Sequence, residues 1–191
     1  MSDSIIRTRR WTRVEYDKLI DAGFFGPGDK IELLAGQLCV SEPKNSPHAR
    51  AIWLGQETLR KALPSGWSIL AQLPIALDDE SAPEPDLAVV SGGPRDYTDH
   101  PSRPALVVEI ADSSLAFDRT QKGSLYARAR LSEYWIVNLA DRMLEIYRYP
   151  RPDNGALYGW AYDVMLTLGP DEQIVPLVVP PTRILVTDLL P

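Results

Sequence analysis

Cysteine and histidine are scarce in this sequence. Its 191 residues include one cysteine, Cys39, and two histidines, His48 and His100. A single cysteine excludes a disulfide within the chain, and this small supply of thiols and imidazoles does not suit the common cysteine-rich zinc sites. We interpret His48 as an ordinary polar residue in the first turn of a helix and His100 as a loop residue. The sequence therefore indicates neither a disulfide-rich nor a zinc-binding domain.

Long apolar runs are also missing. No stretch approaches the roughly 20 apolar residues that a membrane-spanning helix needs. The N-terminal MSDSIIRTRRW has charge but no apolar segment behind it, unlike a secretory signal peptide. With 45% hydrophobic and 24% charged residues, the composition is that of a globular protein. We expect a cytoplasmic protein with a single domain over residues 1–191, a flexible arm at 1–10 and a β-rich extension at 150–191.

The sequence has no excess of basic residues. Its formal net charge is −6, whereas nucleic-acid-binding proteins usually carry a basic surface. The charge balance therefore counts against a nucleic-acid partner. The objection is weaker for a protein that gathers carboxylates around a divalent metal, because bound metal neutralises part of that negative charge.

Capping residues and hydrophobic spacing predict a succession of helices and strands. Thr12 and Glu15 form a capping-box pattern before the first helix. Ser46 can cap the second helix, with Pro47 at its first position. The predicted helices are 12–22, 46–63 and 115–130, and the predicted strands are 30–34 and 37–41 (a hairpin), 67–77, 87–90, 105–110, 134–139 and 144–149, followed by strand-like pieces at 164–168, 174–175 and 184–186. We expect an α/β fold with a mixed central sheet flanked by helices and extended by β-hairpins.

Two carboxylates lie in apolar surroundings. Asp86 follows Glu84-Pro85 at the head of an apolar strand, and Glu109 lies inside the run Leu106–Ile110. Burying a carboxylate among aliphatic side chains costs free energy unless a metal ion or a cationic partner compensates its charge. Each carboxylate on its own favours a structural role, Asp86 as the start of a strand and Glu109 as the partner of a lysine.

The helix that follows Glu109 carries polar residues on its apolar face. Asp118 and Lys122 share a face with Leu125 and Ala129, which mark that face as inward. The two polar side chains are therefore predicted to point toward the same interior as the strands. The structural alternative is an intrahelical Asp118–Lys122 ion pair, worth only about 0.2–0.5 kcal/mol.

Nearby residues have ordinary structural interpretations. Arg119, Arg128 and Arg130 could contact phosphates, although exposed helix faces carry arginine routinely. Tyr134 and Trp135 are predicted to be core residues rather than platforms for stacked bases.

The acidic residues and the lysine together suit divalent-metal chemistry. Mg²⁺ prefers oxygen ligands and keeps several waters beside one or two carboxylates. The metal polarises a phosphoryl oxygen and lowers the pKa of a bound water. A nearby lysine can orient that water or stabilise charge that develops on phosphorus. Glu32, between Ile31 and Leu33 in the first hairpin, is a further acidic candidate.

Four segments, in this order, resemble a known family: EPDLAVV, PALVVEIADSS, DRTQKGSLYARA and SEYWIVN. The family is a restriction endonuclease-like group of bacterial proteins within the PD-(D/E)XK nuclease superfamily, abundant in cyanobacteria and long described as a domain of unknown function. The similarity extends from about Trp11 to Tyr149 and is weaker beyond. A Pro-Asp pair alone is a weak signal, whereas the ordered set is specific. The resemblance implies a restriction endonuclease-like core.

The resemblance also implies roles for individual residues. Asp86 matches the aspartate of the Pro-Asp element and Glu109 the acidic residue of the next strand, so both are expected to bind Mg²⁺ or Mn²⁺. Lys122 takes the catalytic lysine role from the following helix. Glu32, in IELLAGQL, matches an early glutamate that supports the metal or a water, and Gln72 is expected to line the site.

Two positions depart from the superfamily pattern. The simple motif places a lysine two residues after the acidic residue, where this chain has Ala111. The role of Lys122 therefore depends on its position in the fold. Asn138 stands where an aspartate is expected, and we interpret this difference as peripheral.

Two functions are compatible with these features, and a third, a structural assembly protein, is supported only by the Pro-rich C-terminal part. The first is a Mg²⁺- or Mn²⁺-dependent endodeoxyribonuclease that hydrolyses phosphodiester bonds of DNA with a metal-activated water, and the resemblance implies that it is a homodimer. The second is a catalytically silent module of the same fold that binds protein or nucleic acid, which the net charge of −6 favours. Their responses to divalent metal would distinguish them.

Overall fold

The structure is a computed structural model that describes residues 8–26, 28–41, 45–179 and 181–191. Most of the predicted arm, residues 1–7, therefore lies outside the described residues. Residues 8–10 are exposed, and Arg9 and Arg10 form ion pairs with Glu15 and Glu80. No helix in the described part of the chain is both long enough and apolar enough to cross a membrane.

Helices and strands follow one another along the described chain. The first half contains α1 (Arg13–Asp21), β1 (Ile31–Leu34), β2 (Gln37–Val40), α2 (Ser46–Ala62), β3 (Trp67–Ala71), β4 (Leu87–Ser91) and β5 (Leu106–Ala111). A helical segment follows in three consecutive pieces: α3 (Leu115–Phe117), a π-helical turn (Asp118–Lys122) and α4 (Gly123–Arg128). The remainder contains β6 (Glu133–Asn138), β7 (Met143–Pro152), β8 (Trp160–Leu168), β9 (Gln173–Ile174), β10 (Ile184–Leu185) and a 3₁₀ turn (Val186–Leu189).

Six strands form a mixed central sheet in the order β3-β4-β5-β6-β7-β8. β5 and β6 are parallel, and every other neighbouring pair in this sheet is antiparallel. The segment from α3 to α4 connects the two parallel strands, as a parallel pair requires a crossover. β1 with β2 and β9 with β10 form separate two-stranded pairs. The predicted fold class, a mixed sheet flanked by helices with hairpin additions, is confirmed.

The sheet buries apolar side chains on both faces. Along β5, Val108 belongs to the core cluster that α2 and the C-terminal residues complete. Val107 belongs to the cluster on the opposite face, together with Tyr126 of α4. Fully burying an aliphatic side chain stabilises a fold by about 1.5–3 kcal/mol. Because side chains alternate along a strand, Glu109 lies on the same face as Val107, toward α4.

The helix caps agree only in part with the predictions. At α1, Thr12 accepts the N–H of Glu15 and the Glu15 carboxylate accepts the N–H of Thr12, which is the predicted capping box. At α2 the cap is Asn45, whose side-chain oxygen accepts the N–H of His48 at 3.0 Å. The prediction that Ser46 caps α2 was wrong, because Ser46 is already the first helical residue.

Left-handed backbone conformations end two strands. Ala35 and Gly36, with φ of 47° and 78°, form the predicted turn between β1 and β2. Gln72 has a φ of 52°, and β3 ends at Ala71 rather than at residue 77 as predicted. A non-glycine residue in this conformation cannot continue an extended strand.

The predicted helix 115–130 is interrupted at its centre. Gly123 donates its N–H to the carbonyl of Asp118, five residues back, which defines the π-helical turn. Asp118 and Lys122, at the two ends of this turn, are 3% and 5% exposed. Their inward direction is as predicted, whereas the uniform helix is wrong.

A buried carboxylate on β7 explains the asparagine at position 138. Glu145 accepts hydrogen bonds from Arg119 at 2.6 and 2.9 Å, from the Tyr147 hydroxyl at 2.8 Å and from Asn138 at 2.9 Å. Burial alone would raise the pKa of Glu145, but these hydrogen bonds lower it overall. Asn138, 1% exposed, also donates to Asp141 at 3.0 Å. An ionised aspartate could only accept hydrogen bonds, so Asn138 has a structural role beside Glu145.

Replacing Asn138 by aspartate is expected to destabilise the protein at neutral pH. The new carboxylate would be buried beside Glu145 and Asp141 without a hydrogen to donate, a loss of about 2 kcal/mol or more. Urea denaturation at pH 7 measures the loss, with the exposed Asn154→Asp as the matched control. At pH 4, where carboxylates take up protons, the difference should shrink. Equal stability of the parent and Asn138→Asp at pH 7 would contradict this role.

Candidate active site

A cavity of about 400 Å³ opens where β4 begins and β5 ends. Its wall comes from the β1–β2 hairpin, the N-terminus of α2, the residues around the start of β4 and the end of β5, and the π-helical turn. The described residues that line it include six carboxylates, one lysine and one histidine: Glu32, Glu84, Asp86, Glu109, Asp112, Asp118, Lys122 and His48. Four residues singled out in the sequence as an acidic site with a lysine are thus brought to one place.

Asp86 and Glu109 lie side by side where the β4–β5 ladder stops. The last pair of the ladder joins Leu87 to Val108, and the register continued by one residue places Asp86 opposite Glu109. There the carboxylates themselves accept backbone N–H groups. The N–H of Asp86 points to Glu109 Oε2 at 3.4 Å, and the N–H of Ile110 donates to Asp86 Oδ2 at 2.9 Å. Both carboxyl groups, on residues 2% and 3% exposed, are therefore held at the cavity wall.

Glu109 is surrounded by both hydrogen-bond donors and other acids. Its Oε1 accepts from the Lys122 ammonium at 2.9 Å and from the Tyr126 hydroxyl at 2.7 Å. Burial raises the pKa of Glu109 to about 8; Lys122 opposes the rise, and neighbouring carboxylates, Asp86 foremost, reinforce it. Burial and then the charge of Glu109 raise the pKa of Tyr126, so its hydroxyl remains a donor. The charge of Glu109 therefore depends on the positive charge placed beside it.

Lys122 is a buried cation between two carboxylates. Its Nζ lies 2.9 Å from Glu109 Oε1 and 3.3 Å from Glu32 Oε2. Burial alone would lower the pKa of Lys122, but Glu109, Glu32 and Asp118 outweigh burial and raise it, so the ammonium stays charged. Of the ion pairs between described residues, none joins Lys122 to Asp118, whose carboxylate accepts a hydrogen bond from Ser114 at 2.6 Å. The intrahelical alternative is therefore wrong.

Glu32 connects the first hairpin to the start of β4. Its Oε1 accepts the Ser41 hydroxyl at 2.8 Å, and its Oε2 accepts the N–H of Glu84 at 2.9 Å in addition to the contact with Lys122. Both oxygens therefore have partners within the protein. Glu32 thus connects the first hairpin both to Lys122 and to the residues before β4.

Two residues at the start of α2 reach the cavity without having been singled out in the sequence. His48 is 7% exposed, and its Nε2 lies 3.1 Å from Asp86 Oδ2. Asn45, the cap of α2, donates to Asp112 at 2.6 Å. The interpretation of His48 as an ordinary first-turn residue was wrong. A polar residue in a first turn is a common feature, and only the packing of α2 against the strand ends distinguishes this one.

Gln72 does not line the cavity as expected. Its left-handed backbone turns the chain at the end of β3, and its N–H donates to the carbonyl of Asp86 at 3.1 Å. Gln72 therefore supports Asp86 through its backbone rather than through its side chain.

The arginines considered for phosphate contacts have partners within the fold. Arg128 pairs with Asp78 at 2.7 Å, and the guanidinium of Arg130 lies 5.6 Å from the ring centroid of Trp160. Arg119 is bound to Glu145, as described above. Tyr134 and Trp135 are fully buried, as predicted.

Asp86 and Glu109 provide oxygen donors of the kind that hard divalent ions prefer. Within the described ranges, no group of three or more histidine, cysteine or carboxylate residues is arranged to hold a metal ion. Two carboxylates are nevertheless enough for Mg²⁺, which keeps several of its waters. Buried carboxylates also require a compensating positive charge, and four of the six described carboxylates that line the cavity are buried: Glu32, Asp86, Glu109 and Asp118. The donor set therefore fits a divalent ion.

The fold and the site define a nuclease-like class of protein: carboxylates side by side at the ends of neighbouring strands, with a lysine on the following helix. The chain belongs to the family described as "Putative restriction endonuclease" (Uma2), whose profile matches residues 13–183. The crystal structure of "a putative nuclease belonging to DUF820" from Anabaena variabilis has the same fold, with a TM-score of 0.68 and 14% sequence identity over 93% of this chain and 96% of that chain. None of the curated proteins matches the sequence. The family predicted from the ordered motifs is confirmed.

Replacing Glu109 by glutamine is expected to change how stability depends on pH in metal-free protein. Burial raises the pKa of Glu109 from 4.5 to about 8, so between these values the folded protein holds a proton that the unfolded chain releases. This group therefore lowers stability progressively as the pH rises from about 5 to about 8. Over that interval the free energy of unfolding of the parent should fall relative to that of Glu109→Gln.

Urea denaturation in the presence of a chelator measures both curves. The exposed Glu57→Gln, on α2, is the control and should follow the parent. Parallel curves for the parent and Glu109→Gln across this pH interval would show that Glu109 titrates normally.

Proposed function

We propose that the protein is a Mg²⁺- or Mn²⁺-dependent endonuclease that hydrolyses phosphodiester bonds of DNA. The observation that supports this most is the shared cavity of three buried groups distant along the chain, Asp86, Glu109 and Lys122. Membership of a family described as restriction endonucleases supports a nuclease activity. Proteins of this kind generally use divalent metals, which agrees with the oxygen donors of the cavity.

Asp86 and Glu109 are the residues that would hold the metal. A bound divalent metal polarises a phosphoryl oxygen and lowers the pKa of a water. A positive charge next to Glu109 favours its ionised form, which burial disfavours. The high pKa of Glu109 is therefore expected in a metal-free site and would fall in a loaded one.

Lys122 would position the attacking water and stabilise charge on the phosphate. An ammonium has three N–H donors, and the described contacts direct two of them to Glu109 and Glu32. One donor remains for a water or a phosphate oxygen. Because Lys122 stays charged, it would act as a donor rather than as a base. Glu32 would position it.

In this function the substrate would be DNA and the active form would be a homodimer. A twofold-related pair of active sites can cut both strands of a duplex. The net charge of −6 gives little general attraction to phosphate. Binding of DNA should therefore depend on the loaded metal site more than on the surface as a whole.

A second candidate function is a catalytically silent module that binds protein or nucleic acid. The net charge of −6 favours it, as does the pairing of Lys122 with two carboxylates, which neutralises the lysine without any metal. Such a module would be indifferent to Mg²⁺ and Mn²⁺ and would leave DNA intact.

Nicking of supercoiled plasmid is the direct test of the nuclease. The parent is expected to nick DNA with Mn²⁺ or Mg²⁺, and Asp86→Asn, Glu109→Gln and Lys122→Met are expected to be slower by about 100-fold or more, since each removes charge from the reacting centre. Asp171→Asn, an exposed acid outside the cavity, is the control and should retain the rate of the parent.

Two outcomes would contradict the proposal. An identical trace of cleavage in the parent and all three variants would identify a contaminating nuclease. A parent protein that does not respond to Mg²⁺ or Mn²⁺ and cleaves no form of DNA would favour the silent module.

Glu32→Gln separates positioning of Lys122 from binding of metal. Removing one of the two carboxylates around Lys122 should slow single-turnover cleavage by about 10-fold through poorer orientation, with little change in Mn²⁺ affinity. Calorimetric titration with Mn²⁺ alongside the cleavage assay measures the two effects. A loss of Mn²⁺ affinity as large as that of Asp86→Asn would make Glu32 a ligand instead.

A further inference from the structure

His48 occupies a costly position for an imidazole. It lies in the first turn of α2, is 7% exposed, and lines the cavity beside Asp86. Its Nε2 lies 3.1 Å from Asp86 Oδ2. Its Nδ1 is buried and, among the described residues, has no hydrogen-bond partner. Leaving a buried polar atom without a partner costs free energy, so packing alone does not account for a histidine here.

The 3.1 Å contact between Nε2 and Asp86 Oδ2 indicates what the imidazole does. A carboxylate oxygen only accepts, so a favourable contact requires a hydrogen on Nε2. The same Oδ2 accepts the backbone N–H of Ile110 at 2.9 Å. The imidazole of α2 and a backbone N–H of β5 thus meet at one oxygen of Asp86. They fix the orientation of this carboxyl group.

A second set of hydrogen bonds fixes the start of α2 beside the cavity. Asn45 accepts the N–H of His48 and donates to Asp112, which follows the end of β5. The Asn45 cap therefore fixes the first turn of α2 against the end of β5. Because His48 lies in that turn, its position relative to Asp86 is fixed as well. Residues that orient metal ligands in this way are a regular part of metal sites.

We propose that His48 is a positioning residue that orients Asp86 through the contact of its Nε2 with Oδ2 and so sets the affinity of the site for a divalent metal. This inference depends on the proposed function, in which Asp86 binds the metal. Loss of the contact is expected to weaken Mn²⁺ binding by about 10- to 100-fold.

Three variants of His48 test the contact with Asp86 while keeping the change in side-chain packing small. His48→Leu removes the donor at similar volume. His48→Gln places an amide nitrogen near the position of Nε2, and His48→Asn places it near Nδ1, too short to reach Asp86. Since Gln and Asn perturb the helix similarly, their comparison holds even where Leu fails to fold. The other histidine, His100, is exposed, and His100→Leu is the control.

Mn²⁺ affinity is measured by calorimetric titration, and melting temperature in a chelator reports folding independently of metal. The expected order of affinity is parent and His100→Leu, then His48→Gln, then His48→Asn and His48→Leu. In cleavage assays, kcat should fall in the same order with little change in KM for DNA. Equal Mn²⁺ affinity for His48→Gln and His48→Asn, or unchanged affinity in folded His48→Leu, would overturn the role of His48 alone. A parent protein that binds no Mn²⁺ would overturn the proposed metal site as well.

Discussion

The buried ion pair between Lys122 and Glu109 is the contact on which the site depends. Its two groups are 2.9 Å apart and almost fully removed from water, so removing either one would leave the other buried without its partner; breaking a buried pair costs about 3–5 kcal/mol. The pair joins the π-helical turn to β5. Glu32, which also contacts Lys122, joins the first hairpin to them. Three segments distant along the chain are thereby held around one cavity.

The sheet explains why the carboxylates meet there. Alternation along β5 directs Glu109 to the face that α4 covers, and the antiparallel register places Asp86 at the neighbouring position of β4. At the end of that ladder, backbone N–H groups become donors to carboxylates. A strand end thus presents carboxylate oxygens to the cavity on a rigid element. The N-terminus of α2 adds His48 from the other side.

Local signals predicted local structure, and long-range packing decided the rest. The capping box of α1, the first hairpin and the buried strands were predictable because their signals lie within a few residues of each other. The association of Asp86, Glu109 and Lys122 was predictable from the order of the motifs. His48 and Tyr126 were not, because their roles arise from contacts with strands about 40 and 17 positions away in the sequence. The break in the long helix and the true cap of α2 likewise depend on what those segments pack against.

We propose that Asp86 and Glu109 bind a divalent metal beside Lys122. A crystal structure of the protein soaked in Mn²⁺, with anomalous scattering used to locate the ion, tests this binding. An anomalous peak is expected in the cavity within ligand distance, about 2.0–2.3 Å, of one oxygen from each carboxyl group. A fully ordered site in which the Lys122–Glu109 pair is intact and no Mn²⁺ lies near Asp86 would contradict it.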